Sequence, residues 1–105
     1  MSAKRTATYD LELIKAKIRA GRFFVTAAAL SGALLLELDR EDIQDCVLGL
    51  DEGDFYKSMP AEKRPGCMQD VYRPCYQTVH LYVKLQLTQS LEQAVVIAFK
   101  KDESR

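Results

Sequence analysis

Two polar blocks, residues 54–59 and 69–74, carry most of the side chains in this chain that could perform chemistry. They combine cationic, phenolic and amide groups, and the side chains concerned are Tyr56, Lys57, Gln69 and Arg73. Such groups can hold a phosphate, stabilise extra negative charge on it and transfer protons. The two blocks therefore predict a site that handles a phosphodiester, and they favour RNA.

A third segment, residues 79–87, alternates strictly between apolar and polar side chains. In a β-strand this alternation sends successive side chains to opposite faces of the sheet. The apolar face carries Val79, Leu81, Val83, Leu85 and Leu87, and the polar face carries His80, Tyr82, Lys84 and Gln86. In the last predicted strand the expected core residues are Val95, Ile97 and Phe99, an assignment that turns Lys100 to the polar face.

The second polar block allows a similar assignment. Gln69 and Arg73 share one parity in their predicted strand, although the apolar Val71 lies between them. With both on the open face of the sheet, polar groups from four strands converge. The converging set is Lys57, Gln69, Arg73, Tyr82, Lys84 and Lys100.

The front half of the chain predicts three helices. Leu11, Ile14 and Ile18 repeat at helical spacing, and Gly21 provides a stop. Residues 22–25 predict a short edge strand. Thr26 is the expected N-cap of a second helix, with a buried stripe of Leu30, Leu34, Leu35 and Leu38. Asp39, with Asp42 three residues later, begins a third helix that turns Ile43, Cys46 and Val47 inward and ends at Gly49.

The back half predicts strands over residues 55–59, 68–73, 79–87 and 94–100, separated by proline, glycine and polar segments. Helices followed by antiparallel strands are typical of an α+β domain in which three helices pack on one face of a mostly antiparallel sheet. A chain of 105 residues without an internal repeat or linker predicts one domain, residues 1–105.

Composition and charge limit the kinds of ligand and the cellular location that we expect for this chain. The chain has no net charge, but eight acids and a single base lie between residues 37 and 54, whereas seven bases and three acids lie between 55 and 101. This asymmetry allows a local cationic patch for nucleic acid, or merely a solvated surface. The three cysteines have no metal-binding spacing, and the longest apolar stretch is too short to span a membrane. We therefore expect a cytoplasmic protein with reduced thiols, no cofactor and no membrane contact.

Four segments also resemble the signature blocks of a known family. DFYKSM at 54–59, QDVYRP at 69–74, YVK at 82–84 and VVIAFK at 95–100 are similar to blocks of the MqsR toxins, the motility quorum-sensing regulators of bacterial type II toxin–antitoxin systems. The resemblance runs in register from the first helix to Lys100. It implies a fold related to RelE-type toxins and a ribosome-independent mRNA endoribonuclease that cuts at short GC-containing triplets.

The resemblance also implies roles and partners. Catalytic roles fall on Lys57, Gln69, Tyr82 and Lys100, and Arg73 matches a basic position beside the site. Apart from the resemblance, which does not extend to His80, we expect RNA-binding roles for Lys84, His80 and Tyr56 as well as Arg73. The expected partners are mRNA and an MqsA-like, zinc-binding antitoxin with a helix-turn-helix domain. We expect contact with DNA only indirectly, through this antitoxin. The loop at 60–68 departs from the family pattern, which leaves base preference open.

The residues themselves suggest how RNA would be cut. The RNA 2′-hydroxyl attacks the adjacent phosphate, which requires a base, donors for the phosphorane and an acid for the leaving oxygen. Lys57 is the expected base, since neighbouring cations lower a lysine pKa. Tyr82 would act as acid or stack on a base. The alternatives are a non-catalytic single-stranded RNA-binding regulator and a regulator that binds only protein.

Overall fold

The computed structural model describes residues 3–104, and in this range it has the predicted α+β architecture. The elements in chain order are α1 (Leu11–Arg19), β1 (Phe23–Val25), α2 (Ala27–Leu34), α3 (Arg40–Leu48), a 3₁₀ turn (Glu52–Asp54), β2 (Phe55–Pro60), β3 (Met68–Tyr72), β4 (Cys75–Tyr76), β5 (Val79–Leu87) and β6 (Ala94–Lys101). The sheet order is β1-β6-β5-β3-β2, and β4 pairs with β5. Only the β1–β6 pairing is parallel among the described strands.

The ends of the helices follow from their capping residues. Asp10 accepts a hydrogen bond from the Glu12 amide at the start of α1, and Gly21 adopts a positive φ of 74° just beyond its end. Thr26 caps α2 by accepting from the Ala29 amide. Asp39 and Asp42 form a reciprocal capping box at α3. The predicted starts of the second and third helices are confirmed.

The predicted leucine stripe of the second helix is wrong in two of its four residues, since Leu38 is buried and Leu30 packs against the core. Leu34 and Leu35 are 59% and 86% exposed, whereas the buried side chains of α2 are Ala29 and Ala33. The reason is close packing against β6: a Cβ added at Gly32 would lie only 2.1 Å from the carbonyl oxygen of Phe99. Only small residues fit on that side of the helix.

The core lies between the helices and one face of the sheet. It contains the predicted set from the first helix, Ile14 and Ile18, and from the third, Ile43, Cys46 and Val47. Leu81, Val83, Leu85 and Leu87 of β5 complete it from the sheet, with Val79 packed at its edge. The alternation predicted for residues 79–87 is therefore confirmed.

The core assignment of the last strand is wrong in two of three residues. Ala94, Val96 and Phe99 are buried, whereas Val95 and Ile97 are only partly buried. A β-bulge is the cause, because Leu85 pairs with Val96 and Lys84 pairs with Ala98, which leaves Ile97 as an extra residue. The bulge restores the predicted parity beyond it, so Lys100 points away from the core.

A buried carboxylate holds the N-terminal segment against the sheet. Asp70 of β3 is fully buried and accepts hydrogen bonds from the backbone amides of Thr8 (3.0 Å) and Tyr9 (2.9 Å). The Thr8 hydroxyl also lies 2.6 Å from the hydroxyl of Ser58 on β2. These bonds satisfy the polar groups that would otherwise be orphaned on the buried face of β2 and β3.

Candidate active site

The sheet face opposite the helices carries cross-strand rows of polar side chains. Strand pairing places Lys57, Val71, Lys84 and Ala98 in one row, which crosses β2, β3, β5 and β6. The next row contains Tyr82, paired with Lys100. Side chains opposite one another in paired strands are neighbours on the same face. The predicted convergence of Lys57, Lys84, Tyr82 and Lys100 on the open face is therefore observed.

Tyr82 lies at the centre of this face between two lysines. The ammonium of Lys100 is 5.1 Å from the centre of its ring, and that of Lys84 is 5.9 Å away. The phenol lies 3.8 Å from the sulfur of Met59 on β2. Because β3 lies between β5 and β2, this contact means that the Tyr82 side chain extends across β3.

The protonation state of Tyr82 suits a proton donor. Partial burial is the main cause that raises the pKa of the phenol, and the charges of Tyr56 and Asp102 raise it further. A raised pKa keeps the hydroxyl protonated throughout the neutral range. The group therefore carries a proton that a leaving oxygen can take, and the raised pKa makes it a weaker acid than a solvated phenol.

A second tyrosine lies at the edge of the same cluster. Tyr56 is the extra residue of a β-bulge in β2, because Phe55 pairs with Tyr72 and Lys57 with Val71. Its exposed ring lies 4.4 Å from the guanidinium carbon of Arg73 and 5.3 Å from the ammonium of Lys57. These cation–π contacts hold the ring beside the two cations.

Arg73 is anchored by a residue that the sequence did not indicate. Its Nε donates to a carboxylate oxygen of Asp102 at 2.7 Å, and its Nη2 donates to the hydroxyl of Ser104 at 2.9 Å. Hydrogen bonds from Ser104, and then from Arg73, lower the pKa of Asp102 to about 2. Asp102 follows the last strand in a charged tail, and such a tail is typically solvated, so no sequence signal distinguished it.

Lys84 lies where its charged form is disfavoured. Partial burial is the main cause that lowers the pKa of its ammonium, and Lys100 and Lys57 lower it further, whereas Glu62 raises it. Loss of a proton from this lysine is therefore easier than from a solvated one. Within the row, it is the lysine nearest to Tyr82 along the chain.

The candidate residues divide between two hollows. A cavity of about 330 Å³ is lined by Tyr56, Lys57, Tyr82, Lys100 and the start of the C-terminal tail. A larger groove of about 1070 Å³ contains Gln69 and Lys84. Gln69 therefore does not line the tyrosine cavity. Its amide instead donates a 2.9 Å hydrogen bond to the side chain of Gln86.

His80 is placed apart from both hollows. It is exposed at the start of β5 and pairs with Cys75 of the short strand β4, which the sequence did not predict. Gln77 and Thr78 form the connecting turn with positive φ values of 49° and 68°. Within residues 3–104, no group of three or more His, Cys, Asp or Glu side chains could hold a metal ion. In the same range, no helix has the length and apolar character needed to cross a membrane.

The fold and the open face define a class: a small α+β domain with a lysine- and tyrosine-bearing sheet surface that suits an anionic substrate. Residues 6–101 match the family model described as motility quorum-sensing regulator, toxin of MqsA. The chain is also 35% identical, over 98 residues, to the mRNA interferase toxin MqsR of Escherichia coli strain K12. That alignment covers 93% of this chain and 97% of the relative. The chain belongs to the MqsR toxin family.

Proposed function

We propose that this protein is the toxin of a type II toxin–antitoxin system and acts as a ribosome-independent, sequence-specific mRNA endoribonuclease. The observation that carries the proposal is the cluster of Lys84 and Lys100 beside the ring of Tyr82, with Lys57 in the lining of the same cavity as Tyr82. Family membership supports it, since the Escherichia coli relative is an mRNA interferase toxin. Short GC-containing triplets are the proposed cleavage sites.

The proposed reaction is internal attack by the RNA. A neutral lysine amine takes the proton of the 2′-hydroxyl, and the oxygen forms a bond to the adjacent phosphorus. The remaining ammonium groups, with Lys100 among them, stabilise the charge of the phosphorane. The bond to the 5′-oxygen then breaks, and this oxygen receives the proton of Tyr82. The products are a 2′,3′-cyclic phosphate and a 5′-hydroxyl, so the reaction needs no metal ion and no cofactor.

Two lysines are candidates for the base. Lys57 is the residue that the family resemblance indicates, and it lies beside the Tyr56 ring. Lys84 has the support of a separate observation, because its surroundings lower the pKa of its ammonium. Gln69 would orient the ribose or the base on the groove side of the scissile phosphate, where Lys84 also lies.

The remaining contacts are assigned to substrate binding. We assign binding of the RNA strand at the cavity to Arg73 and Tyr56. Asp102 positions Arg73 through a hydrogen bond, and Arg73 in turn positions the Tyr56 ring. His80 is exposed beyond the cavity and would contact only an extended strand. The proposed protein partner is an MqsA-like, zinc-binding helix-turn-helix antitoxin, through which DNA is contacted indirectly, and the proposed location is the cytoplasm.

Purified protein on a long transcript tests this function. Discrete fragments with reproducible ends would support the endoribonuclease. Retarded but intact RNA would instead support a non-catalytic RNA-binding regulator. If the RNA is neither cut nor retarded, the proposed function is wrong, and the remaining alternative is a regulator that binds only protein. The Tyr82→Phe variant is the control for a contaminating nuclease, because a contaminant would cut equally in both preparations.

A further inference from the structure

The groove beside the tyrosine cavity contains a third cross-strand row on the open face. Strand pairing joins Met59 to Gln69, Gln86 to Val95, and Val95 to Phe24 of the edge strand β1. The hydrogen bond between Gln69 and Gln86 closes the gap between β3 and β5. The row therefore crosses all five strands of the main sheet path. In β2, β3 and β5 it lies two residues from the lysine row, which corresponds to about 7 Å, and in β6 the bulge makes this separation three residues.

Two glutamine amides occupy the middle of this row. Gln69 donates to the carbonyl oxygen of Gln86, and within residues 3–104 neither the remaining oxygen nor the remaining nitrogen has a protein partner. The pair consequently keeps an unused amide oxygen and unused N–H donors in two residues that line the groove, whichever of the two amides donates. A donor beside an acceptor is the pattern with which side-chain amides recognise the edge of a nucleobase.

The outer end of the row is aromatic and exposed. Phe24 is 58% exposed although it is a large apolar side chain, and it lines the groove next to Val95 and Ile97. The Ile97 bulge turns these two apolar residues toward the groove instead of the core. An exposed aromatic ring next to unpaired polar groups is the combination that binds unstacked bases of single-stranded RNA.

The charge of the groove also suits RNA. Lys84 lines the groove and belongs to the lysine row, so the groove is continuous with the proposed active site. Lys63 and Arg64 line the groove from the 60–68 loop, with Glu62 as a single acid beside them. The groove therefore has three cations against one carboxylate. This excess of positive charge attracts a polyanionic strand, which a groove with an acidic or neutral lining would not do.

We propose that this groove is the base-recognition site of the enzyme, in which Gln86, together with Gln69, reads the edge of a base next to the scissile phosphate and Phe24 stacks on a base. This inference rests on the proposed endoribonuclease function and specifies how its substrate is selected. It assigns specificity to Gln86 and Phe24, whereas the lysines and Tyr82 perform the chemistry. The occupant of the groove is thus single-stranded RNA.

The test uses the full chain and three variants. Gln86→Met removes the donor and acceptor but keeps the length of the side chain, and Phe24→Ala removes the ring. Leu35→Ala is the matched control, because Leu35 is also an exposed apolar residue but does not line the groove. Melting temperatures verify that each variant is folded. Cleavage sites are mapped on a long transcript, and binding is measured on an oligonucleotide with one deoxyribose at the scissile position.

The two variants should lose different properties, base preference in one and RNA affinity in the other. Gln86→Met should lower the preference for the favoured base at one position by roughly 5- to 150-fold, the range for one base-edge contact. Phe24→Ala should weaken binding by a similar factor on all sequences, because stacking tolerates every base. Leu35→Ala should change neither quantity.

The outcomes separate this inference from the function on which it rests. Unchanged preference and affinity in both variants, with normal cleavage by the wild type, would overturn the groove proposal and leave the endoribonuclease intact. A wild type that cuts nothing, but whose RNA binding is weakened by Phe24→Ala, would refute the catalytic proposal and support the groove. Variants that lose only antitoxin capture would show that the groove binds protein, which contradicts the proposal.

Discussion

Replacing Tyr82 by phenylalanine separates the chemistry from the scaffold. The change removes one hydroxyl, whose protein contact is the sulfur of Met59 at 3.8 Å, and retains the ring that lies beside Lys84 and Lys100. A sulfur contact of this kind is a weak hydrogen bond. The free energy of unfolding should therefore change by less than about 0.5 kcal/mol. Cleavage should fall by about a hundredfold or more, because proton transfer typically contributes that much.

A core variant in the same strand provides the contrasting result. Leu85 follows Lys84 in β5, points to the helices and is fully buried. Truncation to alanine should destabilise the fold by about 2–5 kcal/mol, the usual range for a leucine that leaves a cavity. For a domain of this size, each kcal/mol corresponds to roughly 4–8 °C in melting temperature. The Leu85→Ala variant should therefore melt at least about 8 °C below the wild type.

The assay combines thermal unfolding with single-turnover cleavage of one labelled RNA, measured below the melting temperature of every variant. Lys57→Ala should behave like Tyr82→Phe, with slow cleavage and a nearly unchanged melting temperature. Leu85→Ala should retain much of its activity while folded. The reasoning is refuted if Tyr82→Phe cuts at the wild-type rate, or if it unfolds as readily as Leu85→Ala does.

Three further predictions concern the scaffold, the acid range and the cell. Gly32→Ala should destabilise by about 1–3 kcal/mol or more in urea unfolding, because its Cβ would meet the Phe99 oxygen at 2.1 Å, whereas Gly49→Ala, with its nearest atom at 3.4 Å, should not. Asp102 has a pKa of about 2, below its unfolded value of about 3.9, so its stabilisation is complete above pH 4 and lost toward pH 2. Asp102→Asn should therefore lose less stability in that interval, and an equal loss would argue against this assignment. Expression without antitoxin should arrest bacterial growth and deplete mRNA, and normal growth with abundant folded protein would contradict the toxin proposal.

Sequence patterns predicted the local features of the fold well. The caps at Thr26 and Asp39 and the alternation of residues 79–87 depend on neighbouring residues only, so they are readable without the tertiary structure. The short strand β4 escaped prediction because its turn uses Gln77 and Thr78 instead of the usual asparagine and glycine. The distance between the second helix and the sheet also has no local sequence signal. Gly32 brings α2 against β6, and Leu34 and Leu35, two of the four leucines predicted to be buried, are exposed.

In the candidate site, too, the features that depend on neighbouring residues were predictable and those that depend on tertiary structure were not. Parity predicts that Tyr82, Lys84 and Lys100 share one face, and strand pairing places them there together with Lys57. The bulge at Ile97 and the parallel pairing of Phe24 with Val95 have no local sequence signal, so the third row was not foreseen. The Arg73–Asp102 ion pair joins residues far apart in the chain, and only the folded sheet brings them together.

The most direct test of the central claim uses RNA with a single deoxyribose immediately 5′ of the scissile phosphate, cut side by side with all-ribose RNA in EDTA. The account predicts that the all-ribose strand is cleaved to a 2′,3′-cyclic phosphate and a 5′-hydroxyl. The deoxy strand should bind with nearly the same affinity, since phosphate contacts dominate binding, but should remain intact. Efficient cutting of the deoxy strand, or a strict requirement for magnesium, would contradict internal attack by the 2′-hydroxyl.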